Sequence, residues 1–314
     1  MQINNITIQD NFAEAFDMQA TRLIITADSQ KWARVAGQVM TGFATSVIAC
    51  GVEAAVECDI PPDESPDGRP GVAVLLFGFS HDSLIDPIRN RVGQTILTCP
   101  GTACYAGIVV PPEEAHAKKI PMGQALRYFG DGWQSVKRVG TRRIWRIPVM
   151  DGEFLCEDRV ASVPAIGGGN FLVMGTTRAA SLAACERAIA AMQHCPGVIM
   201  PFPGGIVRSG SKVGSRYRGL VASTNDAFCP TLRGVTKTAL PDNVAAVYEI
   251  VIDGLSFEAI ARAMTIGIRA ACAVEGIDSG VVAIDAGNYG GNLGRHHFHL
   301  HQLLADAEKG TAKS

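Results

Sequence analysis

The chain has few aromatic residues (6%), little net charge (−2) and no long apolar run, and each shortage removes a class of function. Its longest apolar stretch, Val72–Phe79 with one glycine, falls well below the ~20 residues that a membrane-spanning helix needs. The opening MQINNITIQDNFAEAF has neither the basic start nor the apolar centre of a secretory signal, which leads us to expect a cytoplasmic protein without a membrane partner. A charge of −2 exerts no global pull on nucleic acid, so any anion must be recognised locally. The 9 cysteines contain no CxxC pair, and scattered single thiols read as reduced and mostly buried. The metalloprotease HExxH and the phosphate-loop GxxxxGK[ST] are both missing, although Lys212 in SGSKVGS has some of the look of the latter.

Glycine, by contrast, is abundant: 34 residues, well above the average of about 7%. Many sit in PFPGGIVRSGSKVGSRYRGLVASTNDAFCPTLRG (201–234), interleaved with Phe202, Ile206, Val207, Val213 and Tyr217. Those apolar residues argue for order rather than a flexible linker. The stretch also carries Arg208, Lys212, Arg216 and Arg218, with no acid before Asp226. Glycine lets a backbone approach a ligand closely. This composition suits an ordered, basic loop for an anionic ligand, or an elaborate connection between two strands.

At 314 residues two lobes are expected. TRLIITA (21–27) reads as a strand, and 29–40 as a helix with Trp32, Val35, Ala36 and Val39 on one face. TSVIAC (45–50) reads as a strand, PPDESPDGRPG (61–71) as a loop and VAVLLFGF (72–79) as a buried strand, followed by a helix near 83–92 and the apolar run QTILTC (94–99). The second half repeats this grammar: strand 170–175, helix 178–193, strand 198–202, strand 245–254, helix 256–272 and strand 281–285. Ser256 is a plausible N-cap. Both halves thus read β-α-β-β-α-β, predicting an α+β fold of two ferredoxin-like lobes related by internal duplication, 1–150 and 151–314. RRIWRIPVMDGEFLCED (142–158) is strand-like and carries the junction near Asp151. RHHFHLH (295–301) alternates like a strand that could return to the N-terminal lobe, and residues after Leu304 read as a frayed tail.

In the strand 245–254, Val247, Glu249, Val251 and Asp253 share one face. A carboxyl among valines has its pKa raised by desolvation, which suits a general acid or a hydrogen-bond donor. The alternatives are a solvent-facing glutamate and a half-buried ion pair. Four of the 7 histidines lie in RHHFHLH, but side chains in a row along one strand do not close a tetrahedral metal site, so a polar strand face is expected and no metal. Cys229 in NDAFCPT and Cys99 in LTCPGT have no histidine beside them in sequence, so they read as packing rather than nucleophiles. GGGN (167–170) and AGNYGGNLG (286–294) read as turns with close-approach backbone.

Ordered segments from end to end carry a resemblance: NFAEAF (11–16), KWARVA (31–36), TSVIAC (45–50), PDGRPG (66–71), YFGDG (128–132), GGNF (168–171), PFPGGIVRSGSKVGS (201–215), ASTNDAFCPT (222–231), VYEIVIDGL (247–255) and AGNYGGNLG (286–294). The chain resembles the formylmethanofuran:tetrahydromethanopterin formyltransferases. The resemblance implies two ferredoxin-like lobes, a dimer or tetramer, and formyl transfer between N5 of tetrahydromethanopterin and the amine of methanofuran or its analogue. These carriers are substrates, and no tightly bound cofactor or metal is implied. It puts the catalytic glutamate on Glu249, and the expected carrier-binding residues are Phe202, Gly204, Gly205, Ser209, Ser211, Lys212, Arg216, Thr224, Asn225 and Asn288. The acidic tails of both carriers suit the basic residues of 208–218. Ala-rich composition, RYR (216–218) and the added tail are more similar to the bacterial branch. In that branch the enzyme is the formyltransferase component of a formyltransferase/hydrolase complex, a metal-dependent hydrolase component releases formate, and formaldehyde is oxidised. The rival expectation is a non-catalytic scaffold subunit of such a complex.

Overall fold

Four helices begin on a hydroxyl side chain that accepts a backbone N–H, and these caps set where each helix starts. Ser29 takes Trp32 N, Ser80 takes Ser83 N within a reciprocal capping box, Thr177 takes Ala180 N and Ser256 takes Ala259 N. Each such cap contributes about 1 kcal/mol. The computed structural model describes residues 1–108, 118–273 and 280–311, which fall into two compact units. The first comprises Met1–Asp17, Ser46–Cys50 and Ile166–Ser314; the second comprises Met18–Thr45 and Gly51–Ala165. Among the described residues no helix is long and apolar enough to cross a membrane.

In the second unit, strand Phe12–Thr26 contributes its later residues and pairs antiparallel with Gly71–Gly78 and with Ala103–Ala106, while Glu53–Ile60 pairs antiparallel with Gly71–Gly78. Helices Gln30–Thr41 and His81–Arg91 connect these strands. Helix Gln30–Thr41 buries Ala33, Ala36, Gly37 and Met40, whereas Trp32 and Val39 are exposed, so the expected apolar face is displaced. Small residues win that face because the helix lies close to the sheet: a side chain at Gly37 would begin 2.9 Å from Val72 and 3.0 Å from Val56.

Two other expectations fail here. TSVIAC (45–50) forms no strand; it turns, with Ala49 at φ +67° and the Cys50 N–H donating to the Val47 carbonyl. The strand is Glu53–Ile60 instead, two of whose acids are ion-paired, Glu57 with Arg22 at 2.6 Å and Asp59 with Arg34. QTILTC is not extended: the helix before it continues as a wider turn over Val92–Ile96, burying Val92 and Ile96, and the strand follows at Ala103–Ala106. Residues 142–158 form a hairpin, Arg142–Val149 against Gly152–Glu157.

In the first unit, strand Val163–Gly175 pairs antiparallel with Ala246–Gly254 on one side and Val281–Asp285 on the other, and Val198–Ile199 extends the Ala246–Gly254 edge. The expected strand 198–202 is this short because Pro201 and Pro203 cannot donate to a ladder. Helices Arg178–Met192 and Phe257–Ala271 pack on the sheet over Phe171, Ile250, Ile252 and Ile284, all fully buried. Each such side chain contributes roughly 1.5–3 kcal/mol by leaving water. His296–His299 pairs antiparallel with Phe12–Ala15. The chain after it is not frayed: Leu300–Thr311 is a helix whose Leu300 and Leu304 enter the core, and 312–314 lie outside the described residues.

Candidate active site

Leu172 organises the site, because it pairs with Glu249 across one edge of its strand and with Asp285 across the other. That double pairing brings the end of strand Val281–Asp285, and the 286–294 loop that follows it, to the strand that carries Glu249. On its far side Glu249 exchanges two backbone hydrogen bonds of 2.9 Å with Val207, which belongs to the glycine-rich segment. Segments distant in sequence therefore converge on one pocket of about 610 Å³, open mouth included, lined by Glu249, Arg208, Ser211, Asn225, Asn288 and Tyr289 among others.

The Glu249 carboxyl is framed by backbone. A side chain at Gly210 would begin 3.4 Å from its Oε2, and one at Gly287 would begin 3.6 Å from its Oε1. Glu249 is half-buried, and among the described residues none donates its carboxyl a hydrogen bond. Burial pushes its pKa up to about 7, the desolvation route. Near neutrality this group is divided between acid and base forms, so it can donate a proton or a hydrogen bond and take one back. Tyr289 stands in the same pocket, its phenol pushed up by burial and then by the charges of Glu249 and Glu14.

Asn170 sits in the pocket floor with its amide fully engaged. Its Oδ1 accepts the Gly287 N–H at 2.6 Å, and its Nδ2 donates to the carbonyls of Gly168 at 3.0 Å and Gly287 at 3.1 Å. Asn288 donates to Asn11 Oδ1 at 2.9 Å and to the Phe12 carbonyl at 3.2 Å.

Of the residues singled out from the sequence, Glu249, Ser211, Thr224, Asn225 and Asn288 line this pocket. Phe202, Gly204, Gly205, Ser209, Lys212 and Arg216 do not. Gly204 and Gly205 turn the chain with φ of +63° and +77°, and a side chain at Gly205 would begin 2.5 Å from Ile189, so the turn is shaped by packing. Ser211–Val213 and Ala222–Thr224 form a hairpin with exposed Arg216 and Tyr217 beyond it, and Lys212 is ion-paired to Asp226. Cys229 lines the wall, its thiol 3.4 Å from Thr224 Oγ1 and donating to the Asn225 carbonyl. His297 and His299 pack around the Phe12 ring, with ring centroids 4.8 and 5.1 Å away. Sequence reading passes over Asn170 and Tyr289, since GGGN and AGNYGGNLG look like turns until strand pairing sets them beside Glu249.

Residues 1–149 match the model of the formylmethanofuran-tetrahydromethanopterin formyltransferase family, and 152–303 match that of its proximal lobe. The chain belongs to this family. Curated relatives named formylmethanofuran--tetrahydromethanopterin formyltransferase include one from Methylococcus capsulatus, 56% identical over 97% of this chain and 100% of its own, and one from Methanopyrus kandleri, 45% identical over the same shares. A subunit of the formyltransferase/hydrolase complex of Methylorubrum extorquens is 56% identical over 96% of this chain and 97% of its own. Among solved structures, the formyltransferase/hydrolase complex from Methylorubrum extorquens in complex with methylofuran superposes with a TM-score of 0.91 at 55% identity, covering 97% of this chain and 98% of that one. The Methanosarcina barkeri formyltransferase gives 0.88 at 43%, covering 96% and 100%. The α+β, two-lobed architecture is that of the family.

Proposed function

We infer that this chain transfers a formyl group between N5 of tetrahydromethanopterin and the amine of methanofuran or its analogue, with Glu249 as the proton-handling group. End-to-end identity with enzymes of that activity carries the reaction. A carboxyl whose pKa burial pushes up to about 7, set in the pocket where these segments converge, supports the role of Glu249. The acceptor nitrogen attacks the formyl carbon, and the carbonyl oxygen gains negative charge in a tetrahedral intermediate. Protonated Glu249 donates to that oxygen, a contribution of about 3–4 kcal/mol for a preorganised donor. Collapse breaks the bond to the leaving nitrogen, and Glu249 relays the proton that the attacking nitrogen loses to the nitrogen that departs. Holding both carriers in one pocket supplies proximity. Ser211, Thr224, Asn225, Asn288 and Arg208 are offered as the contacts that hold them, with Lys212 and Arg216 reaching the acidic tails.

Likeness to the Methylorubrum complex component supports a place in a formyltransferase/hydrolase complex, with flux towards formate in formaldehyde oxidation and a metal-dependent hydrolase as partner. We further propose a cytoplasmic homo-oligomer. We also propose lobes 1–150 and 151–314, as two separate family models match on either side of residue 150. A ferredoxin-like duplication is supported by strand order: taking each β-α-β-β-α-β set in turn, the fourth strand pairs with the first, the first with the third and the third with the second.

The test mixes purified protein with formyl-tetrahydromethanopterin and methanofuran and follows loss of the formylated pterin by absorbance. Turnover that Glu249→Gln lowers by about 10²–10⁴-fold is the expected result. A wild type without turnover sinks the enzyme assignment, and a fully active Glu249→Gln sinks only the role of that residue.

A further inference from the structure

Glu14 is a carboxylate at the bottom of a backbone cage. Its side chain is 1% exposed on strand Phe12–Thr26, and all four of its hydrogen bonds come from one loop. Oε2 accepts the N–H groups of Tyr289 at 2.7 Å and Gly291 at 2.8 Å; Oε1 accepts those of Leu293 and Gly294, both at 2.6 Å. The loop can aim these donors at one point because Gly290 and Gly291 take φ of +89° and +77°. Such concave runs of N–H groups usually hold a bound anion; here the chain supplies its own. Burial works to raise the Glu14 pKa, but the donors from Gly294, Tyr289, Gly291 and Leu293 outweigh it, so the group stays ionised below the usual carboxylate range.

The caged loop is the one that delivers Gly287 and Tyr289 to the Glu249 pocket. Its near end is held by Asn170 through Gly287, and the next residue by Asn288 through Asn11. Beyond Asn288, Tyr289 to Gly294 rest on Glu14. The Tyr289 N–H is itself one of the four donors, so the backbone from which the phenol projects is pinned directly. The Tyr289 ring lies 5.9 Å from that of Phe16, two residues along the strand from Glu14. We propose that Glu14 is a positioning residue for formyl transfer, fixing the 289–294 loop so that Tyr289 is held in the pocket beside Glu249. This rests on the formyltransferase assignment above, and nothing in it requires Glu14 to touch a carrier.

Glu14→Gln keeps the shape while turning an amide NH₂ towards two backbone donors. Expected are a fall in kcat of up to ~100-fold, since misplacement by about 1 Å can cost that much, and faster amide exchange confined to the 289–294 loop. Because Glu14 acts through Tyr289, the Tyr289→Ala/Glu14→Gln double variant should be no slower than Tyr289→Ala alone. Additive losses, or full kcat in a folded Glu14→Gln, would overturn the proposal. If Glu14→Gln does not fold, Gly291→Ala strains the same cage from the loop side; a normal kcat with a loosened loop would then overturn it. Should the wild type lack formyl transfer altogether, the formyltransferase assignment fails. The exchange experiment then still decides, and unchanged protection of the Tyr289, Gly291, Leu293 and Gly294 amides in the variant would dismiss the anchoring role.

Discussion

Val207 and Glu249 exchange both of their backbone hydrogen bonds, at 2.9 Å each, although Val207 belongs to no strand. That single bridge ties the basic, glycine-rich segment to the residue with the raised pKa. It also leaves the backbone of Glu249 paired on both sides, with Val207 and with Leu172, so the carboxyl is aimed by the sheet rather than by a mobile loop. Replacement of Glu249 by Gln should therefore leave the geometry intact and remove only proton exchange. Loss of general acid–base catalysis costs about 10²–10⁴-fold, so we expect kcat to fall by that factor with KM nearly unchanged. Steady-state kinetics on both carriers separate the two parameters, and a KM effect without a kcat effect would contradict the assignment.

The same carboxyl makes activity and stability depend on pH in opposite senses to an ordinary ion-paired glutamate. Burial raises its pKa in the folded state from 4.5 to about 7. The folded protein thus holds a proton that the unfolded chain has lost, and ionising Glu249 in place destabilises the fold. The cost is absent below about pH 4.5, grows between the two values and is complete above about pH 7, reaching at most about 3 kcal/mol at 1.36 kcal/mol per unit. Glu249→Gln should consequently be more stable than wild type at pH 8 and equal to it at pH 4.5. Urea unfolding of the pair at several pH values checks this. In kinetics, the wild-type rate should fall above about pH 7 as the donor ionises, and the residual rate of the variant should lack that limb.

How much of this was legible beforehand depended on whether neighbours in sequence were neighbours in space. Strand Ala246–Gly254, its helix and strand Val281–Asp285 announce themselves by period and caps, and Glu249 stands out as a carboxyl among valines, although the sequence leaves a solvent-facing or ion-paired glutamate open. Strand Glu53–Ile60 does not, since its acids look solvated until Arg22 and Arg34 are seen to meet them. The face of helix Gln30–Thr41 is misread for a related reason: Gly37 is chosen by proximity to Val56 and Val72, which hydrophobic period cannot report. Asn170 and Tyr289 are invisible for the same cause, being placed by the pairing of Leu172 with two strands at once.

Asn170 offers a direct check of that placement. Its side chain is 7% exposed and makes three hydrogen bonds, two of them to Gly287. Asn170→Ala removes the partner of the Gly287 N–H and one donor from each of the Gly168 and Gly287 carbonyls, of which the latter keeps the Glu14 N–H at 3.3 Å, and an unsatisfied buried group costs about 1–3 kcal/mol. We expect stability to fall by about that amount and kcat to fall as well, since Gly287 flanks the Glu249 carboxyl. Asn170→Asp keeps the Oδ1 acceptor for Gly287 N–H but loses the Nδ2 donor, and should lie between. Denaturant midpoints alongside turnover would expose a purely structural role as lost stability with normal kcat.

The basic residues should not contribute equally to carrier binding. Lys212 is already neutralised by Asp226, and hydrogen bonding to it pulls the Asp226 carboxyl below its ordinary range. Arg208 instead lines the pocket that contains Glu249. An exposed ion pair contributes at most about 1 kcal/mol, so Lys212→Ala should leave stability unchanged. A lysine already paired has less to offer an acidic tail, and its loss should raise KM by less than about 5-fold, within the range that weak surface pairs command. Arg208→Ala should raise KM by about 10-fold or more, the loss of one charge-assisted hydrogen bond of roughly 1.5–3 kcal/mol, with little change in kcat. Both side chains are exposed, so raising ionic strength should shrink both effects, exposed charges being screened over about 10 Å at 0.1 M salt. KM measured for both variants at low and high salt decides it. A larger loss from Lys212 than from Arg208 would make the hairpin, rather than the pocket wall, the main anchor of the carriers.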